Sequence, residues 1–253
     1  SVADRDLLQR TLTGADGVFL MASLWLKECA ANPRACLETN VTGAFNVLEA
    51  CQLAGVSRIV YASSSAVYGS PVPTPITEDH ALDGMTFYGA SKIAIEQFLR
   101  AFQHMYGLSY AVCRYTNVYG PRQRTKGDAT SVIIRFLDWI AAHEPPLIYG
   151  NGEQYYDFIY VEDAARATIL AMEADTQADA FNIASGVSVS INTLVETLLT
   201  LTNSDLRPLY KAASDSADWH FSVDKAARLL GFHAETQLAD GLLALIRWRA
   251  QYT

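Results

Sequence analysis

Three short apolar runs, each ending in small or hydroxyl side chains, recur along the first half of the chain: "DGVFLMAS" (16–23), "SRIVYASSSAVYG" (57–69) and "LSYAVCRYTNVYG" (108–120). Runs of that length, apolar without alternation, suit strands buried on both faces. Two helix-length stretches separate them. One runs from about Pro33 through "NVTGAFNVLEACQLAG" and stops at Gly55; the other has a 3.6-residue period from Ser91 to Tyr106, before Gly107. Strand, helix, strand, helix, strand in that order implies a parallel sheet, because parallel neighbours need a crossover that packs on a face of the sheet. The expected fold class is α/β, a doubly wound parallel sheet.

Further along, "PPLIYGNGEQYYDFIYVEDAARATILAME" reads as a strand, a glycine turn, an extended piece and a helix, and "AFNIASG" as one more short strand. From "SINTLVETLLTLT" onward the pattern is helical, with a polar interruption at "KAASDSADWH". The chain has 253 residues, 50% of them hydrophobic and 18% charged, which is enough to bury a large core without disulfides or a structural metal. A net charge of −8 argues against a nucleic-acid backbone or an anionic membrane surface as partner. No apolar run is long enough to span a bilayer, and a cytoplasmic location is expected. Cys29, Cys36, Cys51 and Cys113 show no CxxC or zinc-ligand spacing. They are expected to be small buried hydrophobes in a reducing compartment. The five histidines are scattered singly, and no metal site is expected.

The stretch "FYGASKIAIEQF" (87–98) places Tyr88 and Lys92 one helical turn apart. A phenol loses its proton only near pH 10, and a neighbouring ammonium favours the phenolate. Such a pair is a rational general acid/base for an alcohol proton. The serines of "YASSSAVYG" add hydroxyls at a strand end, where open α/β sheets hold ligands. Alone, the serines read as a polar turn and the Tyr/Lys pair as solvated surface; together, in this order, they point to chemistry.

These motifs, with "RYTNVYGPRQ", "IYGNGEQYYDFIYVEDAARA", "NVTGAFNVLEAC" and "KAARLLGF", resemble the extended short-chain dehydrogenase/reductase family. Within it the chain looks like the NAD-dependent nucleotide-sugar epimerases and dehydratases, from Ser1 to about Arg249. The resemblance implies a Rossmann-like NAD-binding core over 1–120 and 158–186, and a smaller substrate-binding lobe over 121–157 and 187–253. It implies Tyr88 as catalytic acid/base, Lys92 as its electrostatic partner and a ribose ligand, and Ser64, aligned on "VYG", as the catalytic hydroxyl. NAD would meet Ser1, Val2, Met21, Ala22, Ser23, Asn40, Ala62, Ser63, Tyr88, Lys92 and Tyr115, with the adenine by Ser1 and Val2 and the nicotinamide by Tyr115. For Asn40 a helix-packing amide is an equal alternative. The sugar nucleotide would meet Ser64, Tyr88, Asn117, Val132, Tyr149 and Tyr156.

In this family the dehydratases carry Asp and Glu directly after the catalytic hydroxyl, and the decarboxylases keep a Glu in that loop. Here Ser65 and Ala66 follow Ser64. The resemblance then implies oxidation of a sugar carbinol and return of the hydride to the other face, with C4 of a UDP-hexose as the expected position. Three departures stand beside this reading. The chain holds no G-x-G-x-x-G and opens on "SVADRDLLQRTLTGADGVF", which reads as the middle of a dinucleotide-binding unit. The family's "G-x-Q-x-R-D" is "GEQYYDF", so Tyr156 replaces a phosphate-gripping arginine, and Ala212 in "AASD" replaces a second. Arg122, Arg124 and Lys126 are candidates to compensate, against a solvated basic loop. Two alternatives are a net sugar or polyol dehydrogenase of the same family and a non-catalytic binding protein on a truncated epimerase fold. The helices at about 40–54 and 91–106 resemble those through which the family forms homodimers.

Overall fold

The computed structural model describes residues 1–69, 74–124, 131–213 and 218–252. Helix α1 (Arg5–Leu12) starts where the Asp4 carboxylate accepts from Leu7 N at 2.9 Å, and leads into β1 (Gly17–Leu20). Two short helices, α2 (Leu26–Ala31) and α3 (Pro33–Cys36), precede a π-helical turn at Leu37–Gly43 that runs straight into α4 (Ala44–Ala54). Gly55 ends α4 at φ 70°, a conformation that only glycine adopts without cost. Strand β2 (Arg58–Ser64) passes through a 3-10 turn at Ser65–Tyr68; α5 (Phe87–Tyr106), β3 (Ser109–Tyr115) and β4 (Asn117–Tyr119) follow. The second half adds α6 (Val132–Ala141), β5 (Leu147–Tyr149), β6 (Tyr155–Tyr160), α7 (Val161–Glu173) and β7 (Ala178–Ile183). It ends with β8 (Ser188–Ser190), α8 (Ile191–Leu201), β9 (Leu209–Lys211), α9 (Asp224–Leu230) and α10 (Leu238–Tyr252).

Strands β1, β2, β3 and β7 form an all-parallel sheet in that order. Ser64 pairs with Tyr115 and Tyr115 with Ile183, so the carboxyl ends of three strands finish level. Successive side chains of a strand face opposite ways, and each face has its own cover. Ile59 and Tyr61 pack with Leu48, Cys51, Ile95 and Leu99 of α4 and α5, whereas Val60 packs with Ala167, Ala171 and Phe181 on the other side. A further core joins Tyr119, Phe136, Phe158, Leu194 and Leu242. The doubly wound α/β expectation holds, with helices on both faces of one parallel sheet.

Four details depart from the sequence reading. The third apolar run is two strands, because the chain changes sheets at Thr116. The Thr116 amide still donates to Ile183 O at 3.2 Å, but its hydroxyl turns to the buried Asp157, and β4 then pairs with β6. The C-terminal region is not wholly helical: β9 pairs with β5, Leu209 beside Leu147. Cys29 and Cys36 are joined in a disulfide, so two of the four cysteines are not simple hydrophobes; the turn at Asn32 and Pro33 folds α3 back and brings their Cα atoms to 4.8 Å. Cys51 and Cys113 remain buried thiols. Lastly, α5 begins at Phe87 and not Ser91, because Thr86 caps it, its hydroxyl accepting from Gly89 N at 3.0 Å.

That early start presses the first turn of α5 onto the 3-10 turn. A Cβ at Gly89 would come within 2.6 Å of Ala66 O, a backbone atom that cannot swing aside. Gly89→Ala is therefore expected to cost about 1–3 kcal/mol of stability, as overpacking does, and to appear as a lowered Tm.

Candidate active site

The close packing at Gly89 sets Tyr88 and Lys92 against the carboxyl end of β2. Lys92 is 2% exposed, and its ammonium donates to Ala62 O at 2.7 Å. It stands 5.3 Å from the centre of the Tyr88 ring and 5.0 Å from that of Tyr61. Burial lowers the Lys92 pKa to about 8, while the Glu96 carboxylate one turn on pulls the other way. Burial pushes the Tyr88 phenol up from its ordinary value, and a hydrogen bond with Ser64 opposes that.

The serines after β2 have different partners. Ser63 is buried and donates to Glu96 at 2.5 Å. Ser64 accepts from Ala66 N at 3.2 Å, capping the 3-10 turn, and meets the Tyr88 phenol. The cap occupies an acceptor site on Ser64, and its one proton is directed to the Tyr88 oxygen and would turn to a ligand oxygen bound beside it.

A cleft of about 570 Å³ opens at these strand ends. It brings together Ser23, Ala62, Ser63, Ser64, Tyr88, Lys92, Tyr115, Asn117 and Tyr156 of the residues singled out in the sequence. Tyr115 is fixed by a 2.6 Å hydrogen bond to Thr168 of α7, and Asn117 by donation to Asp157 O at 2.8 Å. A second cleft, about 480 Å³, continues from the first and holds Val132 and Tyr149 with Asn117 and Tyr156. Ser1, Val2, Met21, Ala22 and Asn40 line neither. Val2 accepts from Asn46 of α4, 3.1 Å, and lies against Gly43. The Asn40 amide is buried; its oxygen accepts from Leu24 N at 2.6 Å, and its nitrogen donates to Leu24 O at 3.0 Å and Ser91 Oγ at 3.2 Å. It supports the loop after β1 from behind, as a packing amide does.

The sequence reading missed Trp25, Leu26 and Gln123, which line both clefts. Gln123 closes the motif "RYTNVYGPRQ" but has no role assigned there, and Trp25 and Leu26 stand in no motif; the one local hint for them is a tryptophan just after a small-residue strand end. Among the described residues lining the larger cleft, Lys92 is the only charged side chain, and there is no carboxylate. Arg124 pairs instead with Glu28 at 2.9 Å; neither Arg122 nor Ala212 lines a cleft, and Lys126 lies outside the described residues.

Comparison with known proteins agrees with this layout. The NAD dependent epimerase/dehydratase family matches residues 1–184. This chain belongs to that family. A UDP-glucuronate 4-epimerase of Thermodesulfobacterium geofontis is 32% identical over 236 residues, 91% of this chain and 71% of that protein. The UDP-glucose 4-epimerase of Thermotoga maritima, solved with UDP-glucose, superposes with a TM-score of 0.93 at 30% identity, covering 99% of this chain and 83% of that one. The UDP-N-acetylglucosamine 4-epimerase of Methanobrevibacter ruminantium M1, solved with UDP-N-acetylmuramic acid, gives 0.92 at 31%, covering 97% and 80%.

Family membership makes this an enzyme with NAD as its cofactor. The residues present suit the nicotinamide side of that molecule. Lys92 lines the cleft, has three donors and gives one to Ala62 O, which leaves two for hydroxyl oxygens of a ligand. The described walls also lack any carboxylate that would repel a dinucleotide.

Lys92 is charged below its pKa of about 8 and neutral above it. Turnover that uses the ammonium is therefore expected to fall as pH rises through that value. A pH–rate profile checks this: the alkaline limb should be present in the native enzyme and gone from the residual activity of Lys92→Met.

Proposed function

We propose that this enzyme inverts C4 of a UDP-hexose, with NAD bound throughout and regenerated in each cycle. The observation that carries this reading is the carboxylate-free wall around Tyr88 and Lys92. Elimination of water from a sugar needs an acid and a base beyond the tyrosine, and the described residues of this cleft offer neither. Bound NAD would supply a positively charged ring that takes a hydride from the carbinol carbon and gives it back.

Everything else falls to the protein. Tyr88 takes the hydroxyl proton on its phenol oxygen and later returns it. The Lys92 ammonium favours the phenolate that the burial of Tyr88 would otherwise suppress. Ser64 donates to the sugar oxygen as charge develops on it. The spare donors of Lys92 would hold ribose hydroxyls, with Ser23, Ala62 and Tyr115 around the ring. Residues 121–157 and 187–253 would form the substrate lobe, with the nucleotide in the second cleft among Trp25, Phe136, Tyr149 and Tyr156. Tyr156 can give the diphosphate one hydrogen bond where a guanidinium gives two. A homodimer would pair the exposed Leu53 of α4 with Phe98, Met105 and Tyr106 of α5.

The test is incubation with UDP-glucose or UDP-galactose, with products followed by NMR and NADH by absorbance. The expected result is interconversion without net NADH. Stoichiometric NADH release would replace epimerisation by a net dehydrogenase reaction. Tyr88→Phe should abolish turnover with the fold intact, and Ser64→Ala should slow it by about 10²–10³, the usual loss for one oxyanion donor.

A further inference from the structure

Behind the catalytic residues lies a polar cluster that touches neither cleft directly except through Ser63. Glu96 of α5 is 6% exposed and receives both arms of Arg114 from β3, at 3.2 and 2.7 Å. The same carboxylate accepts the Ser63 hydroxyl of β2 at 2.5 Å. Arg114 also donates to the Tyr68 phenol at 3.0 Å, and Tyr68 to Asn182 of β7 at 2.6 Å. One buried network thus joins α5, β2, β3, the 3-10 turn and β7.

Its position relative to the chemistry is specific. Glu96 sits one helical turn beyond Lys92, and Ser63 directly precedes Ser64. We propose that the Glu96–Arg114 pair positions the active site: through Ser63 it fixes the strand end that presents Ser64, and the Glu96 charge, one turn from Lys92, favours the ammonium. The inference rests on the reading of Ser64, Tyr88 and Lys92 given above.

The titratable groups facing Lys92 are Tyr88 and Glu96 on its own helix and Tyr61 on β2, with Arg114 of β3 behind Glu96. Burial raises both phenols above their ordinary value in the nucleotide-free protein. Glu96 is therefore the carboxylate whose charge favours the ammonium, one helical turn away and shared with Arg114.

Two variants separate the electrostatic part from the geometric one. Glu96→Gln keeps the shape and removes the charge. Its alkaline limb should move to lower pH by roughly one unit, the size of one neighbouring charge. The Lys92 ammonium, followed by 15N NMR in nucleotide-free protein, should titrate lower by the same amount. Ser63→Ala should lower kcat about tenfold, as loss of one charge-assisted hydrogen bond does, while the limb and KM stay where they are. The proposal is overturned if both variants keep the native kcat and the native Lys92 titration while Tyr88→Phe is inactive; the pair would then serve stability alone. If Tyr88→Phe itself retains turnover, it is the underlying acid/base reading that fails. Should Glu96→Gln fold poorly, Ser63→Ala decides alone, and a native kcat there overturns the proposal.

Discussion

Burying one ammonium is the demand around which this structure is arranged. An isolated charge removed from water is strongly disfavoured unless hydrogen bonds or counter-charge replace the solvent. Lys92 has the Ala62 carbonyl, two phenol rings and the Glu96 carboxylate. What they do not fully offset is visible in its lowered pKa of about 8. The Ala62 carbonyl and the Tyr61 ring reach it only while α5 lies tight on β2, and close by, a side chain at Gly89 would strike Ala66 O. Helix packing and catalytic electrostatics are therefore one requirement here.

Much of this was legible in the sequence, and the rest was not for identifiable reasons. Strands β1, β2 and β3 could be read because burial on both faces makes an unbroken apolar run. The Ser64, Tyr88 and Lys92 constellation could be read because two adjacent elements carry it within short motifs. The switch at Thr116 could not, since no glycine or proline interrupts the run and the new partner, β6, lies about forty residues further on. Strand β9 has three exposed residues and no alternation, so only its pairing with β5 identifies it. Trp25 and Gln123 escaped because they come from loops far apart in sequence that meet only in the fold. The disulfide left one local trace, the Asn-Pro turn between its cysteines.

The cleft is also shaped by where charge is kept out. Arg124 and Glu28 form an ion pair between the loop after β4 and α2, with side chains 62% and 36% exposed. A pair that open to solvent contributes little stability. It does, however, keep a guanidinium turned towards α2 instead of lining the cleft. Beside Lys92 the walls are neutral donors and acceptors such as Ser64, Asn117 and Gln123. In a partly dry cleft the field of a single cation is less screened than in water, so the developing oxyanion would feel Lys92 with no carboxylate among the described lining residues.

Asn40 shows how the two sides of the site are tied. Its one amide group grips both backbone groups of Leu24, at the end of the loop that carries Ser23, and reaches Ser91, the residue before Lys92. The alternatives of cofactor residue and packing amide are therefore not opposed. Asn40 is buried away from both clefts, so it can act on a ligand only by holding the loop that touches it. The π-helical turn at Leu37–Gly43 is the local irregularity that carries this amide, as such turns often do near functional sites. The β1 loop and the first turns of α5 are thereby hydrogen-bonded to the same amide. The wall beside Ser23 and the helix bearing Tyr88 and Lys92 share one buried support.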